Sequence, residues 1–246
     1  MSELGHPRVH LRRTDSTNDR ARELAASGAP HGTLVTAAEQ TAGRGRHGRR
    51  WSAPAGSGLL MSLLLRSPPR MLPLSAALAV CDAAGEPARI KWPNDIVVER
   101  PASRLAKLGG ILVEARPQEG WAVLGIGLNV AVELDRLPEE LRQGADAGAD
   151  SPLPAATLGL TPGAIEPTLA RLLSALEHRL KEPEEATLAA WRSRDALLGR
   201  EVSWAGGQGR AHGIDGTGRL VIVLAEGGQT TVGAGEVHLR QVGDRA

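Results

Sequence analysis

The side chains best suited to chemistry in this 246-residue sequence gather in five short segments of its first half: Asp15 to Asn18, Gly43 to Trp51, Lys91 to Asp95, Lys107 to Glu114 and Gly125 to Asn129. In the second, Arg44, Arg46, Arg49 and Arg50 are interleaved with Gly43, Gly45 and Gly48, a literal match to G-x-G-x-x-G. A dinucleotide-binding turn opens a helix and is followed ~20 residues on by an acidic ribose ligand. Here Trp51-Ser-Ala-Pro54 follows, and Pro68-Pro69 stand near where the acid belongs. Forked, permanently charged guanidinium groups on a glycine backbone suit a different task, enclosing a polyphosphate or an acyl phosphate. Such a loop repels itself when empty and is expected to order over its ligand. Taken alone, the same tetrad reads equally as a solvated basic turn or a weak RNA-binding segment.

Lys91-Trp-Pro-Asn-Asp95 forms a tight turn, because Pro93 disfavours helix at Trp92 and lets Asn94 and Asp95 project. An amide can read both edges of a base, and a carboxylate can take a proton or hold Mg²⁺. On its own, though, Asn-Asp after Pro is ordinarily just a turn. Lys107 precedes Gly109-Gly110 at the mouth of an apolar strand, where a single cation with close backbone approach suits a carboxylate or an α-phosphate. An exposed strand-entry lysine is the plainer alternative. Gly125-Ile-Gly-Leu-Asn129 likewise combines close approach with a polar amide. Residue usage supports the grouping: the chain has 26 Arg but only three Lys (91, 107, 181) and three Asn (18, 94, 129), and all but Lys181 fall in these segments.

Helices and strands must position these groups. Val9 to Arg12 reads as a strand, Asp15 to Asn18 as a helix start, Gly28 as its stop, and Thr33 to Glu39 and Gly58 to Leu65 as strands. Leu72 to Ala84 is apolar on nearly all sides and reads as a packed helix. Strand-like runs follow at 89–91, 96–98, 110–114 and 121–132, the last two joined by a polar turn at 117–120 that favours an antiparallel hairpin. A sheet covered on one side by helices is the expected product. Gly144 to Pro154 is a low-complexity loop. Ile165, Leu169, Leu172, Leu173, Leu176 and Leu180 line one helix face, and Pro183 to Leu197 is a second helix. From Gly199 five short strands separated by Gly-rich turns suggest a small barrel.

Composition narrows the function. A formal net charge of +1, no Phe and no Tyr argue against a nucleic-acid coat or a base-stacking module. At 41% hydrophobic and 23% charged the chain is expected to fold. Cys81 alone can form neither an internal disulfide nor the usual structural zinc sets, the first residues lack an apolar signal core, and no uncharged apolar run reaches ~18 residues. A cytoplasmic protein without a membrane segment is expected.

The five segments in this order resemble the biotin protein ligases, also called biotin–[acetyl-CoA-carboxylase] ligases: Asp15-Ser-Thr-Asn18, Glu39-Gln-Thr-Ala-Gly-Arg-Gly-Arg-His-Gly-Arg-Arg-Trp51, Lys91-Trp-Pro-Asn-Asp95, Lys107-Leu-Gly-Gly-Ile-Leu-Val-Glu114 and Gly125-Ile-Gly-Leu-Asn129. The resemblance implies an α+β fold, a mixed β-sheet with helices packed on it in a class II synthetase-like ligase core, plus a small C-terminal SH3-like β-barrel. It divides the chain into a catalytic domain at 1–196 and the barrel at 197–246. It implies two half-reactions: biotin and Mg-ATP give biotinyl-5′-AMP and pyrophosphate, then a lysine of a biotin carboxyl carrier protein takes the biotin as an amide. Carried over by motif, Ser16, Thr17, Asn18 and Gln40 would bind the biotin ring. Arg44, Gly45, Arg46, Lys107 and Gly110 would surround its carboxylate. Arg44, Arg46, Arg49, Trp51, Asn94, Lys107 and Asn129 would hold the nucleotide. Lys107, Arg46 and Asp95 would be catalytic, Asp95 orienting the incoming lysine or a metal, whose ligands are otherwise unassigned.

Only fourteen residues precede Asp15, so a form without the DNA-binding helix-turn-helix of many bacterial members, and without nucleic acid as a partner, is expected. His47 stands where the family commonly has a further basic residue. Without Phe or Tyr the biotin pocket must be built from Trp and aliphatics, and a monomer or weak homodimer is expected. The nearest rival is a lipoate or octanoate ligase or transferase on a related fold; the Gly-Arg loop and Lys91 to Asp95 disfavour it.

Overall fold

In the computed structural model, residues 3–101, 104–143, 153–233, 235 and 237–239 are described. A seven-stranded sheet organises the first half, in the order β1-β2-β3-β7-β6-β5-β4. Its strands are β1 (Arg8–Leu11), β2 (Leu34–Ala37), β3 (Gly58–Arg66), β4 (Arg89–Lys91), β5 (Asp95–Arg100), β6 (Arg104–Arg116) and β7 (Trp121–Asn129). β1 and β2 run parallel, with α1 (Thr17–Ala26) as the crossover such a pair requires. The other neighbours are antiparallel, including the β6–β7 hairpin around 117–120. The mixed sheet matches the expectation.

Side-chain alternation assigns the two faces. Leu59, Met61, Leu63 and Leu65 of β3 and Ala122, Leu124, Ile126 and Leu128 of β7 enter one large core with α2 (Leu72–Ala84) and with Leu169, Leu172 and Leu176 of α4 (Ile165–Arg179) and Trp191 of α5 (Glu184–Ser193). α2 is apolar all round because it lies between the sheet and α4. On the opposite face Leu64, Trp121 and Val123 meet Ala21 and Ala25 of α1. The sheet therefore carries helices on both faces, not on one as its pattern suggested. Near-continuous burial along β3 is the consequence. Each fully buried Leu contributes about 1.5–3 kcal/mol.

α1 covers only part of its face, and beyond it the strands present glycines. β6 also begins earlier than the sequence pattern implied. Ile96 pairs with Gly109 and Val97 with Lys107, so Leu108 is the extra residue of a bulge that lets the strand continue through the glycines.

From residue 201 a five-stranded antiparallel sheet forms, in the order β11-β10-β9-β8-β12: β8 (Glu201–Trp204), β9 (Gly207–Ile214), β10 (Leu220–Val223), β11 (Gln229–Val232) and β12 (His238–Leu239). These are the strands expected of the SH3-like unit. Val202, Ala211, Ile214, Leu220 and Ile222 join the same core as α2 and the large sheet. A short α3 (Glu139–Gln143) follows β7. Most of the low-complexity loop, 144–152, lies outside the described residues. Among the described residues no helix is long and apolar enough to cross a membrane.

Candidate active site

The first half of the site is built at the start of α1, where the sheet face is still polar. Ser16 takes the N-cap position in an extended backbone, yet its hydroxyl makes no capping bond. The Thr17 backbone N–H and hydroxyl both donate to Gln40 Oε1, at 2.7 and 3.0 Å. Ser62 Oγ, from the middle of β3, lies within hydrogen-bond distance of Thr17 Oγ1 (2.8 Å) and Asn18 Oδ1 (2.6 Å). Asn18 Nδ2 then donates to Glu114 Oε2 at 2.8 Å. The approach of Asn18 requires Gly125: a Cβ there would stand 2.1 Å from Asn18 Oδ1. Buried Thr17, Asn18 and Ser62, cross-linked to half-buried Gln40 and Glu114, form a rigid polar wall.

The Gly-Arg segment forms an irregular turn closed on itself. Trp51 N–H donates to the Gly43 carbonyl (3.0 Å) and Gly45 N–H to the Arg49 carbonyl (2.7 Å). His47 at φ 53° and Gly48 at φ 76° make the reversal. Arg44 points back to α1: Nη1 donates to Asp19 Oδ1 at 2.8 Å and Nη2 lies 3.4 Å from Glu114 Oε1. Asp19 also pairs with Arg22. The hydrogen bond to Asp19, then the charge of Glu114, raise the Arg44 pKa further above its ordinary value, so its charge is permanent. Arg46 reaches the other way, and its Nη1 donates to Asn94 Oδ1 at 3.3 Å.

Trp51 and Lys107 occupy the glycine-lined part of the face. Trp51 lies flat against the sheet; a Cβ on Gly127 would fall 2.4 Å from its ring, and one on Gly110, the cross-strand partner of Gly127, 3.5 Å from it. Lys107 Nζ stands 5.7 Å from the ring centroid and donates to Asp95 Oδ1 at 2.6 Å. Lys91 Nζ is 3.9 Å from the other Asp95 oxygen. Asn94 is fixed by the Ile111 backbone, its Nδ2 donating to that carbonyl at 2.9 Å. Asn129 ends β7 on the same face as Gly125 and Gly127, with Nδ2 donating to the Ala156 carbonyl at 2.8 Å. The face thus offers a polar wall at one end, cations and an aromatic ring in the middle, and an amide at the other end. It offers hydrogen-bonding groups beside fixed cations suited to an anionic, phosphorylated group.

Comparison with known proteins agrees. The chain is 39% identical over 252 residues to the biotin–[acetyl-CoA-carboxylase] ligase of Mycobacterium tuberculosis, an alignment spanning 92% of this chain and 87% of that one. The chain belongs to the biotin/lipoate A/B protein ligase family. A sequence profile of that family matches residues 10–130, which hold all five motif segments. The biotin protein ligase of Aquifex aeolicus in complex with biotin and ATP superposes with a TM-score of 0.76 at 30% identity, covering 96% of this chain and 99% of that one. A bifunctional ligase/repressor, BirA of Bacillus spizizenii, is 40% identical over 151 residues, and the aligned part spans 45% of its length.

The structure brings Thr17, Asn18, Gln40, Arg44, Arg46, Trp51, Lys107 and Asn129 to one face of the sheet, with two local features that the motifs did not indicate. Arg44 is engaged by carboxylates of α1 and β6, and the amide N–H groups of Asn94 and Asn129 are already bound to backbone carbonyls. Sequence reasoning missed Ser62, Asp19 and Arg22, and placed Lys91 in a candidate segment without giving it a role. Ser62 is a lone hydroxyl in an apolar strand, a signal visible only once its partners are known; Lys91 was signalled by the rarity of lysine. Among the described residues no three His, Cys, Asp or Glu side chains converge to hold a metal ion. Asp95, the nearest carboxylate, has one oxygen on Lys107 and the other facing Lys91, a poor fit for a resident metal.

Proposed function

We infer that this chain is a biotin protein ligase, activating biotin with ATP to biotinyl-5′-AMP and passing the biotin to a lysine of a biotin carboxyl carrier protein. The observation that carries this reading is the convergence of the Thr17–Gln40 wall, Arg46 and Lys107 on one open sheet face. In the first half-reaction a biotin carboxylate oxygen bonds to the α-phosphorus while the bond from that phosphorus to the bridging oxygen breaks and pyrophosphate leaves. Two anions meet, so fixed cations and alignment supply most of the acceleration. Lys107 is assigned to the carboxylate and α-phosphate, and Arg46 and Arg49 to the phosphates. Arg44 holds the loop on α1 and contributes charge beside Gly45. Mg²⁺ accompanies ATP as part of the substrate.

In the second half-reaction the neutral amine of the carrier lysine bonds to the acyl carbon, the acyl–phosphate C–O bond breaks, AMP leaves and the nitrogen loses a proton. The Gly-Arg loop, ordered over the adenylate, shields it from water meanwhile. Ser16, Thr17, Asn18 and Gln40 are assigned to the biotin ring, Gly110 to its close approach, and Trp51, Asn94 and Asn129 to the nucleotide. Asp95 is assigned to orienting Lys107 and the incoming amine. The cytoplasm, where ATP and carboxylases meet, is the expected compartment.

The decisive measurement is biotin-dependent exchange of labelled pyrophosphate into ATP, followed by transfer to a carrier domain. Exchange and transfer with biotin are expected. Exchange with lipoate or octanoate but none with biotin would overturn the assignment.

A further inference from the structure

Lys91 takes no part in the roles assigned above, yet it is 9% exposed in a chain that has only three lysines. Its ammonium donates to the Val237 carbonyl, just before β12 of the C-terminal sheet, at 2.8 Å. It faces Asp95, its cross-strand partner in the β4–β5 hairpin, at 3.9 Å, and the other Asp95 oxygen holds Lys107 at 2.6 Å. Residues on either side tie the same strand to the C-terminal half without charge. Ile90 exchanges backbone hydrogen bonds of 2.8 Å with Arg194 and Ala196, and Trp92 Nε1 donates to the Gly218 carbonyl at 3.1 Å.

Docking therefore does not need a cation at position 91. Enclosing an ammonium group is costly, and an apolar side chain would join the two parts as well or better. What a cation adds is a second, fixed positive group on the far oxygen of Asp95. We propose that Lys91 is a positioning residue for adenylation: anchored to the C-terminal sheet through Val237, it holds the Asp95 carboxylate so that its near oxygen aims Lys107 at the reacting carboxylate and α-phosphate. The inference rests on the assignment of Lys107 and Asp95 in the proposed function.

Lys91→Met and Lys91→Arg, each alone and combined with Asp95→Asn, test it in the full chain. The readout is kcat and KM of pyrophosphate exchange with whichever of biotin, lipoate or octanoate the unaltered chain activates, so that a wrong substrate assignment is told apart from a wrong role for Lys91. Lys91→Met is expected to lower kcat roughly ten- to hundredfold with both KM values within about twofold, and Lys91→Arg to recover most of the loss. On the Asp95→Asn background Lys91→Met should add little, because the group through which it acts is gone. Losses that multiply independently, or a KM rise at unchanged kcat, would overturn the proposal and leave Lys91 a docking residue. If Lys91→Met does not fold, Lys91→Gln replaces it in the same cycle.

Discussion

At the scale of single residues, charge and close approach do different work. Lys107 is the cation nearest the centre of the glycine-lined face, held by Asp95 at 2.6 Å. Lys107→Ala should abolish adenylate formation, lowering exchange by about 10²-fold or more, and a normal first half-reaction in that variant would remove Lys107 from the catalytic set. Gly127 works by absence. Since a Cβ would stand 2.4 Å from the Trp51 ring, Gly127→Ala should displace Trp51 and reduce exchange, with a shifted Trp51 resonance in fluorotryptophan NMR; unchanged activity and an unmoved resonance would refute this. Lys107, Asp95, Arg46 and Trp51 were named from the sequence only through the resemblance, since each motif alone has a plainer reading and only the five in order point to a ligase. Ser62 was not, because a serine among leucines carries no sign of what it faces across the sheet.

At the scale of elements, the connection between α5 and β8 carries a buried carboxylate. Asp195 Oδ1 accepts from Leu197 N–H at 2.8 Å, while Oδ2 is buried without a partner among the described residues. Burial raises its pKa to about 6, with the Leu197 and Leu198 N–H groups opposing. The folded state thus binds the proton more tightly than the unfolded chain does. Its cost to stability is absent below the ordinary carboxylate pKa, grows as pH rises, and is fully present above about 6. Asp195→Asn should therefore stabilise the fold at pH 8 by at most about 3 kcal/mol, the gain vanishing near pH 4; denaturant melts at the two pH values check this.

Elements differ in how much of them local pattern reveals. α2, with its complete apolar surface, and α4, with its stripe, were legible to within a few residues. The early start of β6 was not, because the Leu108 bulge depends on register against β5. A second such element is 154–158, which seats two site residues at once. Lys107 N–H donates to the Pro154 carbonyl (2.7 Å), Ala156 N–H to the Lys107 carbonyl (2.7 Å), and Leu158 N–H to the Asn129 carbonyl (2.9 Å). Nothing in that short apolar run announces this role.

At the scale of the whole molecule, the C-terminal sheet and the ligase core share one hydrophobic cluster, and Arg192 adds hydrogen bonds to the Ile214 carbonyl. A division at 196/197 is one of chain order, and we propose that it is not one of stability. Calorimetry of the intact chain should give a single cooperative unfolding transition, whereas two resolved transitions would mean that the barrel melts by itself. Sedimentation should find a monomer or a weak homodimer, and a tight dimer would refute this.

The sequence by itself determined the chemistry available: a few scarce lysines and amides, a Gly-Arg loop and strand glycines, in an order specific enough to indicate the ligase family. It also determined most helices and strands, since hydrophobic period and turn residues act over a few positions. Only the tertiary structure decided that α1 covers the site face while α2 and α4 cover the other, that Ser62 joins Thr17 and Asn18, and that Lys91 reaches Val237 across 146 positions. These contacts follow from strand order and register, which arise when distant segments bury their apolar faces together, and no local run of residues encodes them.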